Sequence, residues 1–395
     1  MILTTHKHQH GCRATAVHTT LSLMLPWVVS FATCGQASAA EVKVAGMVDT
    51  GLRYASVSSG TGHHSSSIAL ADGLKDANRI VLLGKETLSP EREVGFFLEA
   101  GFSSDTGEMK TANTVFDRAG YLYFKDTNLG QVSAGLLGVT RAGGTPLAYS
   151  VTSERISPFG TGWGDLANPI YAMPFHGFSL ANALQYDSIK WGPVQGHVTY
   201  SFGSSSENGM VEGSASANRY AALALTYDID RLHLVVMADQ MNESSRVSNQ
   251  KDEVGVLAGG HATLGQLRVF GWGALFSGAD AIMPLPGLSD CSPMRGLDDI
   301  DGSSVSVGFD MPLWGGLWRV YGLRMRAKAQ DASAEGQRIT RTALVTGWDM
   351  SLSRRTSLYM AVGRYEDRVR YIDIQGRTYD HPSSIQAVLG LHHNF

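Results

Sequence analysis

The chain has 395 residues, 43% of them hydrophobic and 17% charged, with 32 Lys+Arg against 36 Asp+Glu and a formal net charge of −4. That acidic balance excludes a generally basic, nucleic-acid-seeking protein. Of three cysteines only Cys291 lies beyond residue 40, so no intramolecular disulfide can hold the bulk of the chain.

Taken in chain order, residues 1–40 begin with Lys7 and Arg13, continue into an apolar run from Leu21 to Ala32, and close on Ala37-Ser38-Ala39-Ala40. A charged start, a short apolar middle and a small-residue end predict a secretory signal peptide, cut after Ala39 or Ala40. His6, His8, His10 and His18 fall within that segment, and no metal or other cofactor is expected. The residues before Cys34, Phe31-Ala32-Thr33, lack the Leu and small-residue context of lipid attachment. Residues 41–395 then form one domain, because no linker, charge block or composition break divides them.

After residue 40 no apolar stretch approaches the ~20 residues a spanning helix needs. Instead, apolar side chains alternate with polar ones, the period of a β-strand with one greasy and one wet face. Val42, Val44, Val48 and Leu52 oppose Lys43, Asp49 and Arg53, and Phe96, Leu98, Ala100 and Phe102 oppose Glu93 and Glu99. Val198, Tyr200 and Phe202 likewise oppose His197, Thr199 and Ser201, and Ile385, Ala387, Leu389, Leu391 and Phe395 share the last such face. Sixteen segments follow the pattern, at 41–55, 77–85, 92–103, 116–126, 129–139, 180–191, 194–203, 217–229, 231–242, 253–264, 266–278, 302–312, 316–328, 338–352, 355–367 and 384–395.

Short turns such as Thr127-Asn128, Ile229-Asp230 and Ser353-Arg354-Arg355 alternate with long polar loops near 56–76, 104–115, 204–216, 243–252, 279–300 and 368–383. An even strand count with that alternation predicts an all-β fold, a sixteen-stranded antiparallel transmembrane β-barrel. A soluble β-sandwich shares the local alternation but has no reason to alternate short and long connections. Residues 140–179 are longer than a structureless loop should be, and they carry Glu154, Arg155, Trp163 and Asp165 among many Gly and Pro. Two placements stay open for them: folded into the barrel, narrowing it, or outward over the surface.

Val42-Lys43-Val44-Ala45-Gly46-Met47-Val48-Asp49-Thr50-Gly51, Asn78-Arg79 with Gly84-Lys85-Glu86, Phe97-Leu98-Glu99-Ala100-Gly101-Phe102, Asn182-Ala183-Leu184-Gln185-Tyr186-Asp187-Ser188, Leu352-Ser353-Arg354-Arg355 and the close Leu389-Gly390-Leu391-His392-His393-Asn394-Phe395 stand in a telling order. In that order and spacing they resemble the general porins of Gram-negative bacteria, particularly the betaproteobacterial branch, over the whole of 41–395. The resemblance implies a water-filled homotrimer in the outer membrane, among lipid and lipopolysaccharide, passing small hydrophilic solutes by passive diffusion. It implies that Phe395 is read by the outer-membrane assembly machinery, and that the third long loop folds inward.

Carried over by position, Glu154, Arg155 and Asp165 belong to the constriction, and Arg79 and Arg118 to the pore wall. Arg118 shares parity with Leu122 and Phe124, which points it toward lipid unless a bulge intervenes. Arg324 and Arg326 lie opposite Leu317, Tyr321, Leu323 and Met325, and on that alternation are placed inward. Gly135-Leu136-Leu137 and Leu180 stand where the family often carries basic residues, so the basic ladder is thinner here. No His-Glu-x-x-His, Gly-x-Ser-x-Gly or phosphate-binding Gly-Lys-Ser/Thr occurs, and no enzyme is expected. A substrate-specific channel, or a barrel acting mainly as adhesin or receptor, is the alternative.

Overall fold

The computed structural model describes residues 41–395 apart from 142, 144, 161–162, 164–165, 175–176, 205–210, 215, 243–250, 289–298, 331–336 and 373–377. Residues 1–40, and with them the expected signal peptide, lie outside the described residues, as does Asp165.

The strands are β1 (Glu41–Ser58), β2 (His64–Asp72), β3 (Arg79–Ser89), β4 (Arg92–Gly101), β5 (Ala119–Asp126), β6 (Gly130–Gly138), β7 (Ser179–Asp187), β8 (Val194–Ser201), β9 (Arg219–Ile229) and β10 (Leu232–Asn242). They continue as β11 (Glu253–Leu264), β12 (Leu267–Ala279), β13 (Ile300–Leu313), β14 (Gly316–Ala329), β15 (Arg338–Ser351), β16 (Thr356–Arg368), β17 (Arg370–Ile372), β18 (Thr378–Asp380) and β19 (Ser383–Asn394). Each wall strand pairs antiparallel with its neighbour in sequence, and β19 returns to β1 with Met47 level with Asn394 and Ser58 with Ser383. The sheet is therefore a closed barrel of sixteen crossings, β2 and β3 together making the second. Closure pairs the wall strands on both sides, except for one side of β2 among the described residues.

The burial pattern is inverted relative to a water-soluble protein. Leu122, Leu223, Leu275, Val307, Leu344 and Leu389 are exposed, while Asp49, Asp239, Asp310, Arg341 and Asp367 are buried. Apolar side chains cover the outside and charged ones point in, an arrangement stable only where the surroundings are hydrocarbon.

Two expectations about connections change. The stretch 56–76, expected as a loop, holds β2, which pairs with the long-loop half of β1. The sharp break at 73–78 between β2 and β3 exists to serve Asp49. Its Oδ1 accepts the Leu74 N–H at 2.9 Å and the Tyr359 hydroxyl at 2.5 Å, and its Oδ2 lies 3.2 Å from His392 Nδ1. One buried carboxylate thus joins the first, second, fifteenth and last crossings. The loop expected at 368–383 contains the small hairpin of β17 and β18.

Candidate functional site

Inside the barrel lies a cavity of about 960 Å³, lined from β3, β4, β10, β11, β12 and β14 and from the segment between β6 and β7. Side chains on the inner wall hold that segment. Arg319 Nε donates to the Pro158 carbonyl at 3.0 Å, and the Tyr365 hydroxyl to the Leu166 carbonyl at 2.8 Å. Ser304 Oγ donates to the Ala172 carbonyl. Arg155 Nη2 reaches Asp228 Oδ2 on β9 at 2.7 Å.

Two buried arginines fasten its ends. Arg141 is paired with Asp239 and, at 2.9 Å, with Glu253, and donates to the Pro174 carbonyl at 3.4 Å, tying the start of the segment to its close. Burial works against its charge, but Asp239 and Glu253 outweigh that and hold its pKa above the usual arginine value. Arg341, with no exposed side-chain surface, forks onto both oxygens of Asp367 at 2.7 Å and donates to the carbonyls of Tyr171 at 3.1 Å and Met283 at 2.8 Å. A fork of this kind fixes direction as well as distance.

Besides Arg155, five cations line the cavity: Lys75, Arg79, Arg118, Arg268 and Arg319. Each has a carboxylate behind it. Arg79 and Arg118 share Glu99, Arg268 holds Asp310, and Lys75 and Arg319 flank Asp349 at 3.1 and 2.8 Å. Depth separates the signs in two of these pairs. The side chains of Glu99 and Asp310 are 3% and 2% exposed, those of Arg118 and Arg268 21% and 40%. A solute in the cavity therefore meets Arg118 and Arg268 before their carboxylates, whereas Asp76 beside Arg79 and Glu154 beside Arg155 are the more exposed partners. The charged heads of Lys75 and Arg319 also lie 5.5 and 5.4 Å from the ring of Trp163, whose π face attracts them.

Among the residues singled out from sequence, Arg79, Arg118, Glu154 and Arg155 all line this cavity. Arg118 escapes its strand parity because it precedes β5, where Ser179 Oγ pins its carbonyl at 2.8 Å. Among the described residues of the segment Glu154 is the exposed acid, its side chain 43% accessible and 3.2 Å from Arg155. Burial raises its pKa, partly opposed by Arg155. Arg155 is 8% exposed and anchors more than it presents.

Arg324 and Arg326 depart from the expectation: both are exposed, on the face opposite buried Tyr321, Leu323 and Met325. β14 carries its apolar side chains inward, Tyr321 and Leu323 in the cluster shared with the β6–β7 segment and Met325 in a second cluster with Phe276 and Ile339, so its even-numbered residues turn out. Lys75, Arg268 and Arg319 were missed. Arg319 shares parity with the buried apolar residues of β14, and Lys75 lies in a stretch expected as a polar loop.

The sequence profile described as Gram-negative porin matches residues 27–369. No curated protein sequence matches the chain. Among solved structures, the fold is similar to that of an anion-selective porin from Comamonas acidovorans, at 19% identity over 90% of this chain and 100% of that one, with a TM-score of 0.65. It is similar too to the trimer form of OmpT, an outer membrane protein of Vibrio cholerae, at 13% identity over 91% and 100% of the two chains, TM-score 0.57. The outer membrane channel DcaP of Acinetobacter baumannii shares it at 14% identity over 90% and 97%, TM-score 0.53. With this profile spanning most of the chain and a closed, outwardly apolar barrel around a charged cavity, the protein belongs to the Gram-negative porin family and is an outer-membrane channel.

Proposed function

We propose that the chain forms an open, water-filled pore for passive diffusion of small hydrophilic solutes, that the segment between β6 and β7 is its constriction, and that the pore favours anions. The observation that carries the charge preference is the depth difference between cations and carboxylates, with Arg118 and Arg268 forward of Glu99 and Asp310. Fixed charges on facing walls filter solutes by orienting water and polar groups between them. The Comamonas acidovorans relative described as anion-selective is consistent with that preference.

The same reading has residues 1–40 removed on export, Phe395 recognised during assembly, and three copies associating as in the trimer form of Vibrio cholerae OmpT. It assigns no catalysis to the barrel. The test is single-channel conductance of refolded 41–395 in a planar bilayer across a KCl gradient. Stepwise ohmic currents whose reversal potential has the sign of chloride preference are expected. A barrel that inserts and passes no current sinks the pore; potassium preference sinks the charge reading alone.

A further inference from the structure

The segment between β6 and β7 faces the cavity with rings more than with charge. Tyr149, Phe159, Trp163, Tyr171 and Phe178 line it, and among the described residues Glu154 is the segment's one carboxylate there. A wall that only sieved hydrated ions would gain nothing from aromatic faces, which water solvates poorly.

Phe159, Trp163 and Tyr171 are buried by their own packing, but 36% of Tyr149 stays exposed. Its hydroxyl lies over Gly160, where a Cβ would stand 2.8 Å from it. Two residues earlier, the Pro158 carbonyl is the one that Arg319 Nε holds at 3.0 Å. The open ring is thus set beside Arg319. Register adds a second guanidinium, because Arg319 is level with Asp310 on β13 and Asp310 with Arg268 on β12. At ~4.8 Å per strand the two arginines leave the wall ~10 Å apart, close enough for their long side chains to converge on one group. Burial, Glu154 and Asp76 raise the pKa of the Tyr149 hydroxyl while Arg319 and Arg268 oppose them, so all four charges act on this ring.

Donors remain here after internal pairing. Arg268 gives Nε and Nη2 to Asp310, and Arg319 gives Nε to Pro158 and Nη1 to Asp349. Arg268 Nη1 and Arg319 Nη2 keep N–H groups with no acceptor among the described residues. Cationic donors beside an exposed aromatic face make two demands that neither water nor chloride meets together. Asp76 and Glu154, the more exposed carboxylates of the lining, repel a second negative charge on whatever meets them.

We propose that this corner of the cavity binds aromatic monocarboxylates, with the ring against Tyr149 and the carboxylate on Arg268 Nη1 and Arg319 Nη2. Offset stacking and charge-assisted hydrogen bonds then act on one flat solute. Short aliphatic acids lose the first, neutral aromatics lose the second, and aromatic dicarboxylates meet Glu154. The inference narrows the solute class of the proposed pore and rests on that reading for the ligand's route, so its test separates binding from current.

Refolded 41–395 in nonionic detergent is dialysed to equilibrium against radiolabelled benzoate, with retention by protein-free micelles subtracted, and the same preparation is tested for current in KCl. Saturable retention of benzoate is expected. Unlabelled acetate and benzyl alcohol should each displace it only at about tenfold higher concentration than unlabelled benzoate, and phthalate at about threefold. Tyr149→Ala should weaken benzoate about fivefold, and Arg268→Gln about threefold. Arg364→Gln, on the outer wall, should bind as wild type does. Should Tyr149→Ala misfold, the displacement series on the wild-type barrel decides. No saturable retention, displacement by acetate or benzyl alcohol at the concentration benzoate needs, or undiminished binding by folded Tyr149→Ala overturns the proposal. Retention by a barrel that passes no current sinks the pore and keeps the site; current without retention does the reverse.

Discussion

Asp310 behind Arg268 and Glu99 behind Arg118 describe a common solution to a local problem: a cation in a pore wall needs a counter-charge, and sinking that counter-charge leaves the cation's field dominant in the water. Arg268→Gln should remove one forward charge. At ~0.5 kcal/mol for a partly exposed pair, the chloride-to-potassium permeability ratio falls about twofold, read from the reversal potential. Glu154 works in the opposite sense. Because burial raises its pKa, it takes up a proton before ordinary carboxylates do as pH falls. The protonated form is the one the fold favours, so Glu154's share of loop stability is present in acid and lost as pH rises through its raised pKa. Anion preference should accordingly grow on acidification from neutrality, above the usual glutamate range of ~4.3, and Glu154→Gln should show the higher preference throughout.

At the scale of elements, the β6–β7 segment is seated as well as tethered. A Cβ on Gly347 would stand 2.8 Å from Phe159 and 3.0 Å from Trp163, and one on Gly363 2.9 Å from Leu166, so the wall lacks side chains where the segment lies against it. Gly347→Leu should displace the segment while leaving the barrel closed, giving an altered unit conductance with unchanged far-UV circular dichroism. Arg341→Ala leaves Asp367 buried without its partner, a loss of about 3–5 kcal/mol in comparable pairs, and frees the carbonyls of Tyr171 and Met283. Noisy, flickering currents and earlier thermal unfolding are the expected readouts.

Sixteen crossings and their alternating connections were legible because side-chain period and turn length are local properties. Which face is outward is not local, and Arg324 shows why. Alternation separates two faces but does not say which meets lipid, and β14 packs Tyr321 and Leu323 inward against a segment far away in sequence. β2 was illegible for a similar reason. His64 to Ser67 carries no apolar alternation, and its pairing partner is β1, not any pattern of its own. Arg79 and Glu154 were found through family position, whereas Lys75 depends on a chain break set by Asp49.

Over the whole molecule, β2 leaves an edge unaccounted for. It pairs with β1 on one side, no strand pairs its other side among the described residues, and Ile68 and Leu70 are 75% and 59% exposed. An open apolar edge is not tolerated in lipid. On the proposed trimer, with this edge covered by a neighbouring copy, light scattering of the detergent-purified protein should give three copies, and Ile68→Glu/Leu70→Glu should yield monomers that still close.

The cluster around Asp49 also bears on how such a barrel comes to exist. Its contacts to Tyr359 and His392 span separations of 310 and 343 residues, so this buried polar knot joins β1 to β16 and β19. No partial chain can form it, and for most of synthesis and export Asp49 is a carboxylate without an assignment. Contacts of such long range form late and make folding slow. The nascent chain must meanwhile be kept from settling on its many interchangeable apolar strands. The seam thus acts as a completeness check: a polypeptide stopped before β19 has every hairpin it needs except the one that turns a curved sheet into a tube.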